Sequence, residues 1–256
     1  MEPLSIATII IIGLAVISFI GVGARLVGPY RKTRRLQTLA LAIGFFAGSL
    51  GMLFLAAEHG LMTLGHDETQ EANDDADPDV SAQAYFAACI AVFFSVVTIY
   101  CFDLFALSFL SENRRKVLLF SIPLLLLLVT YFGFFIWSGL DSGYWHYNDD
   151  ANAWDIDRSG SHEGILFILF IIPLFFSPVV MFYGAYQIRD RGPIAKRMLF
   201  LTLGQLLASI VYTLEILEPE PTVMVFARLG WIIYPLWMYI WFSLPAFAKR
   251  WIGWEG

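Results

Sequence analysis

A chain of 256 residues in which 58% are hydrophobic, 16% aromatic and only 15% charged, with a mean hydropathy of +0.68, is not a soluble globular protein. Soluble domains carry roughly 25% charged residues. The net charge of −6 is the sum of separate basic and acidic segments, so no nucleic-acid partner follows from it.

The apolar residues gather in seven blocks, 5–27, 37–57, 82–110, 117–138, 163–187, 197–217 and 222–247. Each is near the ~20 residues that an α-helix needs to cross ~30 Å of hydrocarbon. Stretches such as Pro123-Leu124-Leu125-Leu126-Leu127-Leu128 lack the alternation of a membrane β-strand, so the reading is all-α, one domain, a seven-transmembrane-helix bundle. Block 1 follows Met1-Glu2-Pro3, with no positive n-region, and is longer than a signal-peptide core; it stays as helix 1. Helix 2 carries Gly44 with Gly48 and Ala47 with Gly51, the small-residue spacing that lets helices approach closely. Helix 3 holds Cys89 and Cys101, separated by about 18 Å of rise and unable to pair with each other. Pro123 lies in helix 4, Pro173 and Pro178 in helix 5, and Pro235 and Pro245 in helix 7, each freeing a carbonyl and able to kink its span. In helix 6, Gly204-Gln-Leu-Leu-Ala-Ser209 matches Gly44-Phe-Phe-Ala-Gly-Ser49 of helix 2, and both helices follow a Gly-Pro loop, Gly28-Pro29 and Gly192-Pro193. Helices 1–3 and 5–7 run in the same order of directions, which permits a parallel three-plus-one-plus-three duplication.

Charge supplies the topology. Fourteen of the 16 Lys and Arg residues fall in four clusters, Arg25 with Arg31 to Arg35, Arg114 to Lys116, Arg189 to Arg197, and Lys249-Arg250. Acidic runs alternate with them, from Asp67 to Asp79, Asp141 to Asp157 and Glu215 to Glu220. Short cytoplasmic loops are enriched in Lys and Arg, so the expectation is a prokaryotic plasma-membrane protein with its N-terminus outside and its C-terminus in the cytoplasm. The tail from Ala248 to Gly256 leaves no room for an output domain.

Three polar groups stand apart from this pattern. Arg228 sits two turns into helix 7, where a charge is costly unless paired; Glu215 and Glu58 lie at a compatible depth. These three, with Tyr212 and Trp231, are the candidate lining of an outer-half cavity for an anionic ligand or lipid, or else Arg228 and a carboxylate lock helices together. Asp103, seven residues before the end of helix 3, is read as an interfacial carboxylate facing Arg114, Arg115 or another inner cation, part of a partner-facing cytoplasmic surface with Lys249 and Arg250. All four histidines lie on the outer side, and His59 and His66, beside Glu58 and Asp67, are the candidate metal ligands, although no HxxxH or HExxH occurs. The acidic loop from Thr69 to Asp79 lacks the Gly and terminal Glu of an EF-hand. No cofactor is implied, and no nucleophile with a base at suitable spacing points to an enzyme.

Trp231-Ile-Ile-Tyr234-Pro235 resembles the Trp-x-x-Tyr-Pro motif of microbial rhodopsins, but Lys32, Lys116, Lys196 and Lys249 all lie at the cytoplasmic surface, which excludes a retinal Schiff base. The Pro-Gln signature of three-plus-one-plus-three sugar transporters is not matched by Ser177-Pro178-Val179. The Arg/Lys-headed helices 2 and 6 (Arg34-Arg35-Leu36 and Lys196-Arg197-Met198), with helix 7 ending in Ser243-Leu244-Pro245-Ala-Phe-Ala-Lys249-Arg250, resemble the seven-helix input modules of prokaryotic sensor histidine kinases and related stand-alone archaeal membrane proteins. That resemblance implies a sensor that binds a ligand or lipid in its outer half and signals through a separate cytoplasmic partner or membrane subunit, with the bilayer as its constant neighbour. A small-molecule or ion transporter, or a scaffold subunit of a membrane complex, is the alternative.

Overall fold

A computed structural model describes residues 3–65, 78–111, 113–141, 146–148, 153–155, 160–217 and 221–254. Its helices are α1 (Pro3–Thr33), α2 (Leu36–Gly65), α3 (Pro78–Leu110), α4 (Arg114–Asp141), α5 (Gly160–Gln187), α6 (Pro193–Leu217), α7 (Pro221–Ser243) and the short α8 (Ala246–Ile252). A three-residue antiparallel ladder, His146–Asn148 against Ala153–Asp155, lies between α4 and α5. Seven helices, α1 to α7, are long and apolar enough to span a membrane. The seven-helix bundle expected from the hydropathy blocks is therefore the fold, and the chain is a multi-pass membrane protein.

Neighbouring helices pack in chain order, and α1 closes onto α7 while α3 touches α5 behind α4. The result is a six-helix ring in which α4 covers one junction from outside. Small residues set the closest approaches. A Cβ on Gly44 would strike Phe102 of α3, one on Gly48 would strike Phe19 of α1, and Gly51 lies against the Ala91 carbonyl. The stripe read from the sequence thus fixes α2 between α1 and α3.

The ring is filled along its centre by aromatic side chains from four helices. Tyr234 stands 5.5 Å from Phe102, 5.8 Å from Phe45 and 6.0 Å from Phe19, ring centroid to centroid, and all four are buried. Edge-on and tilted pairs of this kind favour one another through their quadrupoles as well as through burial. Outward faces carry Ile17, Phe120, Leu126, Ile168 and Phe226, all well exposed in the chain alone, as lipid-facing positions should be.

The two halves of the chain repeat a packing scheme. Aligning Gly44 of α2 on Gly204 of α6 pairs Gln37 with Arg197, Leu41 with Leu201, and Ser49 with Ser209. Leu41 and Leu201 are each 0% exposed, whereas Ile43 and Leu203 turn outward at 43% and 45% and Leu50 and Ile210 at 40% and 46%. Gly204 is pressed against Trp237 and Met238 of α7 as Gly44 is against Cys101 and Phe102 of α3. The capping agrees as well. The last carbonyls of a helix have no intrahelical donor. Gln37 Nε2 donates to the Ser108 carbonyl at the end of α3 (2.9 Å), and Arg197 donates from Nε to Trp241 (3.0 Å) and from Nη2 to Phe242 (2.6 Å) at the end of α7. Under this correspondence the α3–α5 and α7–α1 junctions are equivalent, and α4 is the linker between two parallel three-helix halves.

The sequence blocks place helix 7 through residue 247 with Pro245 inside it; the helix in fact ends at Ser243. Pro245 disfavours helical backbone at the residue before it, and Leu244 takes a left-handed φ of 50°. Pro245 then opens α8, whose Trp251 stacks on Phe200 (5.8 Å) and Trp241 (6.1 Å).

Candidate functional site

The basic clusters gather at one end of the bundle and Glu58, Glu215 and Arg228 near the other, so the two are called here the basic and the acidic end. At the acidic end Arg228 and Glu215 form a bidentate pair, Nε to Oε1 at 2.9 Å and Nη2 to Oε2 at 3.0 Å. Arg228 is 6% exposed, and Glu58 is buried and engaged. A planar guanidinium fork facing both carboxylate oxygens is the arrangement in which a desolvated pair holds together. It joins α6 to α7. Tyr212 and Trp231 lie beside it with ring centroids 4.4 Å apart, and Phe170 of α5 packs on the other side of Tyr212 at 5.9 Å. The structure therefore brings Arg228, Glu215, Tyr212 and Trp231 together, and closes Arg228 on Glu215 rather than holding it open toward a ligand.

Asp103 departs most from its sequence-based assignment to the cytoplasmic face. It is 0% exposed, and neither carboxylate oxygen has a hydrogen-bond partner among the described residues. It looks across the α3–α5 junction, where the Ser177 backbone lies beside it. Arg114, its expected partner, reaches instead to the Arg34 carbonyl in the α1–α2 turn. The reason is angular: Asp103 is on the face of α3 that α5 covers, while the cations sit at helix ends, about 10 Å away along the axis.

A buried polar network starts next to Asp103. Ser177 donates from Oγ to Gln205 Oε1 (3.1 Å), and Gln205 Nε2 donates to the Tyr234 oxygen (3.2 Å). Gln205 and Tyr234 are 2% and 0% exposed. One turn further along α6, Ser209 donates to the Leu174 carbonyl of α5 at 2.7 Å. That carbonyl lies four residues before Pro178, which has no N–H to offer it, so the α6 hydroxyl supplies the missing donor. Ser18 of α1 donates to the Ile232 carbonyl of α7 (3.3 Å) close to Pro235, at the α7–α1 junction of the ring. The sequence reading missed this network. Its signal is Gln205, a carboxamide in an otherwise apolar span, where a polar group is costly unless another helix meets it.

Lys249 and Arg250 lie on exposed positions of α8, at the basic end as expected. The His59 side chain and all of His66 lie outside the described residues, as does the Thr69 to Asp79 loop except at its α3 end. Among the described residues no group of three His, Cys, Asp or Glu side chains is placed to hold a metal. An apolar groove of about 480 Å³ opens outward between α3 and α4, lined by Tyr85, Cys89 and Phe93 on one side and Phe132, Ile136 and Leu140 on the other. It is a surface that acyl chains can wet.

No protein-family model matches the chain, and no curated protein is significantly similar to it in sequence.

Proposed function

We propose that this chain is a transporter of an ion or small solute in the plasma membrane, N-terminus outside and C-terminus cytoplasmic, with no covalent chemistry of its own. The observation that carries this reading is Asp103, a buried carboxylate between two parallel three-helix halves with no hydrogen-bond partner among the described residues. Ionisable groups inside membrane bundles are costly and mark ion or substrate paths, and sites in duplicated transporters lie where the repeats meet. The aromatic plug of Phe19, Phe45, Phe102 and Tyr234 closes the centre of the ring, so this is an occluded state. Prolines at both junctions, Pro173 and Pro178 in α5 and Pro235 in α7, give each half a place to bend. The test is uptake into proteoliposomes of a panel of labelled ions and small metabolites, comparing the wild-type chain with Asp103→Asn. A solute that moves only with the wild type supports the reading; equal flux for both proteins across the panel removes it.

The receptor-like reading, a sensor acting through a separate partner, rests on a different observation. Arg197 ties α6 to the end of α7 and the Trp251 stack ties α8 to the same end, so a shift of α7 would move Lys249 and Arg250 at the cytoplasmic surface. Under that reading Trp251→Ala changes which cytoplasmic protein co-purifies with the chain and leaves solute flux untouched.

A further inference from the structure

We infer that Asp103 is an exchangeable proton site, loaded in the occluded state described here and emptied to water at the basic end of the bundle. The inference rests on the transport reading and names its coupling ion. The step is the simplest one available: the Asp103 carboxylate takes up one proton to form the neutral acid, and returns it to solvent when the α3–α5 junction opens.

Two observations lead to a proton rather than a fixed ion pair. First, an ionised carboxylate without counter-charge or hydrogen bonds in an apolar interior is so costly that such groups neutralise instead. Among the described residues Asp103 has neither, and it is fully enclosed. Second, the cations that could have neutralised it are engaged or distant. On α4, Arg114 is held by the Arg34 carbonyl, and Arg115 and Lys116 share the exposed first turn. On α6, Arg197 caps the end of α7. On α2 the charged residue with a described side chain is Glu58, at the opposite end, and α5 has no charged residue from Gly164 to Gln187. The remaining titratable neighbours are weak acids: the Cys101 thiol on α3 and the Tyr234 phenol of α7, which packs on Phe102. A metal cation would require several more oxygen ligands around the same carboxylate.

The position also suits exchange. Asp103 lies seven residues before the end of α3, roughly 10 Å from the basic surface. The Ser177 backbone of the other half lies beside it, and the Ser177 hydroxyl is held by Gln205. Separation of α3 from α5 would therefore wet the carboxylate from the basic end, while the aromatic plug still closes the path beyond.

Dicyclohexylcarbodiimide, which enters apolar sites and adds to protonated carboxyl groups, tests this directly on the intact protein in proteoliposomes, read by mass spectrometry of the Asp103 peptide. The expected result is an adduct at Asp103 whose rate of formation falls about tenfold per pH unit above its midpoint, and which excess Na⁺ or K⁺ does not slow. No adduct at Asp103 at any pH overturns the inference; so does protection by Na⁺ or K⁺, which would make the site a metal-cation site. Asp103→Asn must lose the adduct, and if that variant does not fold, the wild-type pH profile still decides. Adduct formation with the expected profile in a chain that moves no solute would leave the proton site standing and remove the transport reading. Solute uptake with Asp103 unreactive would do the reverse.

Discussion

Arg228 and Asp103 are both ionisable groups enclosed by an apolar bundle, and they are accommodated in opposite ways. Arg228 meets Glu215 through two hydrogen bonds, with α6 and α7 as backing. Asp103 has no hydrogen-bond partner at either oxygen among the described residues. The pair answers the cost of burial internally and has little reason to change state. The lone carboxylate can lower its cost only by holding a proton or by being uncovered, which ties it to motion. Burial of charge is thus common to both ends of the protein, and what differs is whether a partner is built in.

The largest effect should come from breaking the pair. Glu215→Leu takes its bidentate carboxylate from the buried Arg228 guanidinium, and removing one partner of a buried pair costs about 3–5 kcal/mol. Reversible unfolding in mixed micelles measures it, and adding Arg228→Met to Glu215→Leu should recover most of the loss. If Glu215→Leu unfolds at the wild-type midpoint, Arg228 has another carboxylate to turn to, and Glu58 is the one to replace next. Asp103→Leu should move stability the other way, raising it by about 1–3 kcal/mol, because it removes a desolvated polar group that nothing satisfies. A stabilised variant without flux would be a stability-for-function exchange at a single residue. A destabilised Asp103→Leu would mean that the carboxylate has a structural partner, and the contrast with Arg228 would collapse.

Next in size is the network beside Asp103. Gln205→Leu strips Ser177 of its acceptor and Tyr234 of its donor, at an expected cost of about 1–2 kcal/mol in the same unfolding assay. It should also alter the carbodiimide profile of Asp103, since Ser177 flanks both groups. An unchanged profile would uncouple the network from the carboxylate and leave Asp103 alone at the junction.

Much of this was legible in the chain because hydropathy and charge are read along one dimension. Seven apolar blocks and alternating basic and acidic loops suffice for the number of helices and for which ends lie together. The depth of Arg228 along α7 likewise pointed to Glu215, since two residues at one depth on consecutive helices can meet. What was not legible is azimuth. Asp103 sits only about two turns from the inner cations, and only the α3–α5 contact shows that it faces the other way. Pro245 illustrates a smaller loss: an X-Pro step near the end of an apolar run can kink a span or end it, and Leu244 in the left-handed region decides for the latter. The repeat was half visible. Gly44 and Gly204 stood out in the sequence, while the pairing of Gln37 with Arg197 as helix caps joins two unlike side chains through one task and has no sequence signature.

The smallest effect sharpens the comparison from a third direction. Ser209 gives its hydroxyl to the Leu174 carbonyl that Pro178 leaves without an N–H, so here a buried polar group is satisfied by a neighbouring helix rather than by a counter-charge or a proton. Interhelical hydrogen bonds in membrane bundles average only about 0.6 kcal/mol, and Ser209→Ala should cost about that much. The informative measurement is the cycle with Pro178→Ala. In that background the amide of residue 178 can return to the Leu174 carbonyl, and Ser209→Ala should then cost close to nothing, giving a coupling of about 0.5 kcal/mol. A full-sized Ser209→Ala loss in both backgrounds would assign the effect to packing of the hydroxyl and not to the proline gap. Should the coupling appear, closing the backbone gap in α5 through Pro178→Ala ought also to slow solute flux with Asp103 intact, because the missing hydrogen bond beside Ser177 gives α5 a place to flex where the α3–α5 junction has to open.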